Sequence, residues 1–179
     1  MRLILNNRTK NVMTTVVTVY ILCTLILEHF RGGVISHHLL AREDMPKISN
    51  WWGILVVPVV CWVLLSQIQN RFRRSANNQK IVSKQEIYGF IGAFVFGILI
   101  TVLFYNAPDF TGYLLVMTFV VALLLPIYRA EYYLGFILSM SYGFGGIIPV
   151  MFGLVLFVVY TIIYRYIRRG LLYILNKIK

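Results

Sequence analysis

The side chains able to do acid–base or metal chemistry are concentrated in one stretch, EHFRGGVISHHLLAREDMPKISNWW, running from Glu28 to Trp52. It holds His29, His37 and His38, the acids Glu28, Glu43 and Asp44, the bases Arg31 and Arg42, and the polar or interfacial Asn50 and Trp51. Imidazole and carboxylate together suit zinc, iron, nickel or copper, so His29, His37, His38 and Asp44 are candidate ligands if the segment folds back on itself. The spacing H-x7-H-H has none of the fixed helical intervals of compact metal signatures. The composition permits a metal without requiring one, and the sequence names no cofactor.

A second chemistry is hydrolysis or group transfer on a lipid-like substrate, with a histidine as general base oriented by Glu28 or Asp44. Ser36 and His37 are not a catalytic pair by adjacency, because neighbours in a helix point apart. A third reading makes Glu28, His29, Arg31, His37, His38, Arg42, Glu43, Asp44, Asn50 and Trp51 a ligand-binding or solvated rim, joined by Asp109 from another polar turn. Glu28 ends an apolar run, where it must face other helices or pair with Arg31 or a histidine. Ser36 is placed to cap a short helix from His37 to about Asp44, stopped before Pro46, with His38 and Arg42 on one face.

The elements that position these residues are apolar. Of 179 residues, 59% are hydrophobic and only 13% charged, outside the soluble range, so the fold class is an all-α, polytopic integral membrane bundle forming a single domain. Six transmembrane segments are favoured, at residues 11–30, 51–68, 87–105, 113–128, 132–145 and 147–164. Residues 31–50 form an outer loop, 69–84 a basic cytoplasmic loop, and 165–179 an amphipathic tail along the inner membrane surface. The paired Trp51 and Trp52 mark an interface.

Charge sets the orientation. With six spans, 14 of the 17 Lys and Arg fall inside, whereas four of the six acids and all three histidines fall outside. This positive-inside pattern places both termini in the cytoplasm and the chain in the plasma (inner) membrane. It also accounts for the net charge of +11 without nucleic acid as a partner. The basic tail reads as ordinary anchoring to anionic headgroups. Cys23 and Cys61 lie in apolar runs and read as buried thiols.

The fifth span is short or broken. Its 15 or so residues reach about 22 Å, below a hydrocarbon core of about 30 Å, and Gly143, Gly145 and Gly146 interrupt it at YGFGG. That segment is either a tight outer hairpin or a re-entrant stretch lining a cavity. Arg129 and Glu131 read as an inner-interface pair. Gly89, Ala93 and Gly97, spaced by four, form a small-residue ridge for close helix approach.

Three functions follow. The bundle binds a lipid, a small ligand or a partner membrane protein at its polar outer face; alternatively it is a transporter or channel subunit using Gly143–Gly146, or a membrane enzyme. Its expected partners are the lipid bilayer and either another membrane protein or a second copy of itself.

Overall fold

The computed structural model describes residues 5–30, 32–34, 36–38, 47–74 and 83–178, with the backbone alone at 37, 38, 73, 74 and 178. Its elements are α1 (Asn7–Phe30), β1 (Ser36–His38), β2 (Lys47–Ser49), a 3₁₀ turn (Asn50–Trp52), α2 (Gly53–Arg74), α3 (Lys84–Asn106), α4 (Pro108–Leu124), α5 (Ala130–Phe144), α6 (Ile147–Ile162), a π-helical turn (Ile163–Ile167) and α7 (Arg168–Ile178). Apart from the short β1–β2 ladder, the regular elements are all helical. Among the described residues four helices are long and apolar enough to cross a membrane: Asn7–Phe30, Asn50–Phe72, Lys84–Asn106 and Ile147–Lys177. Pro108–Leu124 is apolar but shorter.

Local chemistry sets the ends of these helices. Asn6 starts α1 by accepting the Thr9 backbone N–H on Oδ1 at 2.8 Å, which satisfies an orphan donor of the first turn. Glu86 reaches back to the Ser83 backbone N–H at 2.9 Å at the start of α3. Pro108 occupies the first turn of α4, where its missing N–H costs nothing. Helix α4 therefore begins at Pro108 and ends at Leu124, displaced from the expected 113–128, and Ala107 alone separates it from α3.

The centre of the structure is α5. Ten of its 15 residues are buried, and it packs on α3, α6, α2 and α1. Val17, Ile21 and Leu25, four apart on α1, join Val57, Cys61, Leu64 and Leu65 of α2 and Leu134 and Ile137 of α5 in the larger core. Ile100, Phe136 and Met140 form a smaller one against α4 and α6. Outward-facing side chains such as Val16, Leu55, Val95, Val116 and Val155 are apolar and exposed, compatible with a membrane-embedded protein.

The α3–α5 contact depends on residues with little or no side chain. A Cβ on Gly89 would stand 3.0 Å from the Tyr132 ring, and Gly97 faces Ser139 directly. From the other side Gly135 abuts the Phe90 carbonyl and lies against Ala93, while Gly143 faces Thr101. Gly89, Ala93 and Gly97 thus all face α5 within the same chain.

Four local expectations are corrected. Cys23 is exposed on α1, whereas Cys61 is buried in the core. Ser36 does not cap a helix at His37; Ser36–His38 pairs antiparallel with Lys47–Ser49, in register Ser36 to Ser49, because the returning chain supplies backbone partners that a short helix would leave unused. Helix α2 continues to Arg74, so the first residues of the expected 69–84 loop are helical. The 165–179 tail is not a separate element: the π turn joins α6 to α7 without a gap, making one helical run from Ile147. The rest of both loops lies outside the described residues.

Candidate functional site

At one end of the bundle the predicted polar residues divide. Asn50 is 1% exposed, and its Nδ2 donates to both carboxylate oxygens of Glu28, at 3.1 and 3.2 Å. The 3₁₀ turn that carries Asn50 is capped by Ser49, whose Oγ accepts the Trp51 N–H. Gly145, at φ +71°, presses its backbone against the Asn50 amide, and Gly146 meets Gly53 so closely that a Cβ there would lie 2.7 Å from the Gly53 Cα. This end is a filled junction of α1, α2 and the α5–α6 turn.

The remaining candidates at this end lie apart from that junction. His29 is exposed with its ring edge-on to Phe30, Trp51 is exposed, and Asp109 is exposed on the first turn of α4, which packs on α3 and the π turn. The side chains of His37 and His38, and all of Arg31, Arg42, Glu43 and Asp44, lie outside the described residues. Among the described residues no three His, Cys, Asp or Glu side chains converge into a metal-binding group. Helix α5 runs through Gly143 to Phe144, and the chain then turns on Gly145 and Gly146 directly into α6, the arrangement of a tight hairpin.

The opposite end holds a cluster that the sequence reading misassigned. Glu131, 2% exposed, bonds Arg71 rather than Arg129: Arg71 Nη2 lies 2.9 Å from Glu131 Oε2 and 3.2 Å from Glu86 Oε1. Arg129 instead stands at the N-cap of α5, in extended backbone, two residues before Glu131. One guanidinium thereby ties α2, α3 and α5 together. Lys10, buried on α1, donates to Ser66 Oγ at 3.1 Å and sits 4.0 Å over the Trp62 ring. Gln69 donates to the Leu5 carbonyl and to Asn7 Oδ1, fastening the start of α1 to α2.

Between these ends lies an apolar cavity of about 350 Å³, open to the outside along α4, where Met117, Val121 and Leu125 are exposed. Its walls are Gly92, Ala93 and Phe96 of α3, Leu114, Met117, Thr118 and Val121 of α4, Tyr132, Tyr133 and Phe136 of α5, and Gly153, Leu156, Phe157 and Tyr160 of α6, with Leu125 and Ile127 beyond α4. The volume falls within the range of small-molecule sites. Four hydroxyl-bearing residues interrupt its apolar lining, Thr118, Tyr132, Tyr133 and Tyr160; Thr118 and Tyr160 are hydrogen-bonded to each other from α4 to α6. Tyr133 donates instead to the Val150 carbonyl at 2.6 Å.

Sequence patterning missed this cavity because its walls come from four helices and consist of ordinary apolar residues. Small residues at Gly92 and Gly153, opposite aromatic Phe96, Phe136 and Phe157, were the available signal. The fold and site together define an all-helical chain with several helices apolar enough for a membrane and an apolar cavity among four of them. Comparison with protein-family models, with curated proteins and with solved structures finds no match.

Proposed function

We propose that this chain is a six-span protein of the plasma (inner) membrane, with both termini cytoplasmic, that binds the apolar chain of a lipid-like molecule between α3, α4, α5 and α6. The observation that carries the reading is the cavity itself: about 350 Å³, walled by aliphatic and aromatic side chains, its few hydroxyls including the hydrogen-bonded pair of Thr118 and Tyr160. An apolar molecule gains dispersion contacts there without leaving a buried polar group unpaired. The reading moves the binding site from the polar outer face to the half-open apolar groove among these four helices, since Glu28 and Asn50 are engaged with each other. The excess of Lys and Arg on the Arg71 side of the bundle supports its cytoplasmic assignment.

The experiment is photolabelling of protein reconstituted in phosphatidylcholine vesicles carrying a diazirine on the acyl chain, with cross-links mapped by mass spectrometry. Label is expected at Phe96, Leu156 and Phe157, which line the groove and are only half-exposed. A Cβ added at Gly92 meets open space, so Gly92→Phe should fill the cavity without a backbone clash and remove that label. Label spread evenly over the outward residues Val95, Val116 and Val155, or undiminished in Gly92→Phe, would sink the reading.

A further inference from the structure

Resting on that reading, we infer that the occupant is an anionic phospholipid whose headgroup phosphate is held by Arg165, Arg168 and Arg169, where the cavity meets the π turn. The apolar cavity and a basic one adjoin along two chain segments. Ile127 lines the first and Tyr128 the second; Tyr160 lines the first and Tyr164, one helical turn further on, the second. The basic cavity measures about 410 Å³ and is walled by Tyr128, Tyr164, Arg165, Tyr166, Arg168 and Arg169. One molecule with an apolar chain and a charged head matches this sequence of walls.

The arginines are arranged for an anion. Arg165 lies over the Tyr128 ring at 5.3 Å and Arg168 over the Tyr164 ring at 4.7 Å, so aromatic faces hold two guanidiniums without consuming their N–H donors. No Asp or Glu follows Glu131 in the sequence, and Glu131 is itself engaged by Arg71. Glu86 and Glu131 both pair with Arg71, so neither carboxylate is spent on Arg165, Arg168 or Arg169. A phosphate accepts paired N–H bonds from guanidinium, and the neighbouring phenols supply further donors. The π turn at Ile163–Ile167 breaks the α-helical register where Tyr164 and Arg165 enter the wall, a feature frequent at functional sites. The basic tail is therefore more than a general anchor: its first turns form the polar half of a site whose apolar half is the cavity.

The test compares phosphatidylglycerol, phosphatidylcholine with the same acyl chains, and inorganic phosphate, each added to purified full-length protein in a neutral detergent. Retention is read by native mass spectrometry and protection by thermal unfolding. Phosphatidylglycerol should be retained roughly tenfold better than phosphatidylcholine, the scale of one or two charge-assisted hydrogen bonds. Inorganic phosphate at the same concentration should not protect. The triple variant Arg165→Gln, Arg168→Gln, Arg169→Gln should lose the preference between the lipids while keeping acyl-chain label at Leu156. Equal retention of the two lipids by the native protein, or an unchanged preference in the triple variant, would overturn the headgroup site while leaving the cavity reading intact. Equal protection by inorganic phosphate would overturn a lipid occupant for the arginines. Loss of cavity label in the native protein would remove the underlying reading instead.

Discussion

Asn50, on the turn that opens α2, places one amide nitrogen against both carboxylate oxygens of Glu28 at the end of α1, at 3.1 and 3.2 Å. The contact joins two helices through a side chain that is 1% exposed, where water cannot replace a lost donor. Asn50→Ala is expected to cost about 1–3 kcal/mol. Asn50→Asp is expected to cost more, because it sets a second carboxylate against the first. Unfolding midpoints in detergent check this, and an unchanged midpoint for Asn50→Asp would refute it.

The same junction sets a sharp contrast among glycines. Gly145 combines φ +71° with direct contact to Asn50, so Gly145→Ala should cost about 2 kcal/mol or more. Gly112, inside α4 with open space around it, should accept Ala with a gain of about 0.4–1 kcal/mol. Measuring the two substitutions side by side separates close approach from general helix propensity; equal effects would contradict the packing described.

At the other end, Arg71 faces two carboxylates, Glu86 and Glu131. Removing one partner of an enclosed pair costs about 3–5 kcal/mol. The Arg71 side chain is 37% exposed, so solvent screening reduces the expected cost of Arg71→Met to about 1–3 kcal/mol. Pairing it with Glu131→Gln should recover part of the loss, giving a coupling energy of about 0.5–3 kcal/mol in a double-mutant cycle. Strict additivity would mean that the ion pair contributes nothing to stability.

Gly97→Val tests where the small-residue ridge is used. Because Gly97 meets Ser139 of the same chain, the added side chain should destabilise by about 1–3 kcal/mol. The loss should not depend on protein concentration, since no second copy takes part in that contact. A concentration-dependent loss would assign the ridge to association between chains.

Apolar run length was readable wherever a helix faced outward, as in α1 and α3, because such helices are apolar nearly all round. Boundaries were less readable. Pro108 starts a helix instead of ending a turn, and Arg73 and Arg74 look like a loop although α2 carries them. Of the polar candidates, Glu28 drew attention by position, since an acid at the end of an apolar run needs a partner. Its bond to Asn50 was not found, because it spans 22 residues and depends on where the α5–α6 turn presses. Glu131 drew attention beside Arg129, but nearness in sequence is a poor guide on a helix whose neighbours point apart. Its partner Arg71 lies 60 residues away and is supplied by packing.

The burial of α5 carries a consequence for how the chain is made. Fifteen residues span about 22 Å, and ten of them face protein, including a carboxylate held by α2. In the membrane reading proposed above, a nascent α5 is apolar but shorter than a hydrocarbon core of about 30 Å and carries one acid, so partitioning alone holds it weakly. Its place is secured when α3 is already present and α6 has been synthesised. On that reading this helix is held in place by its helical neighbours more than by the lipid around it.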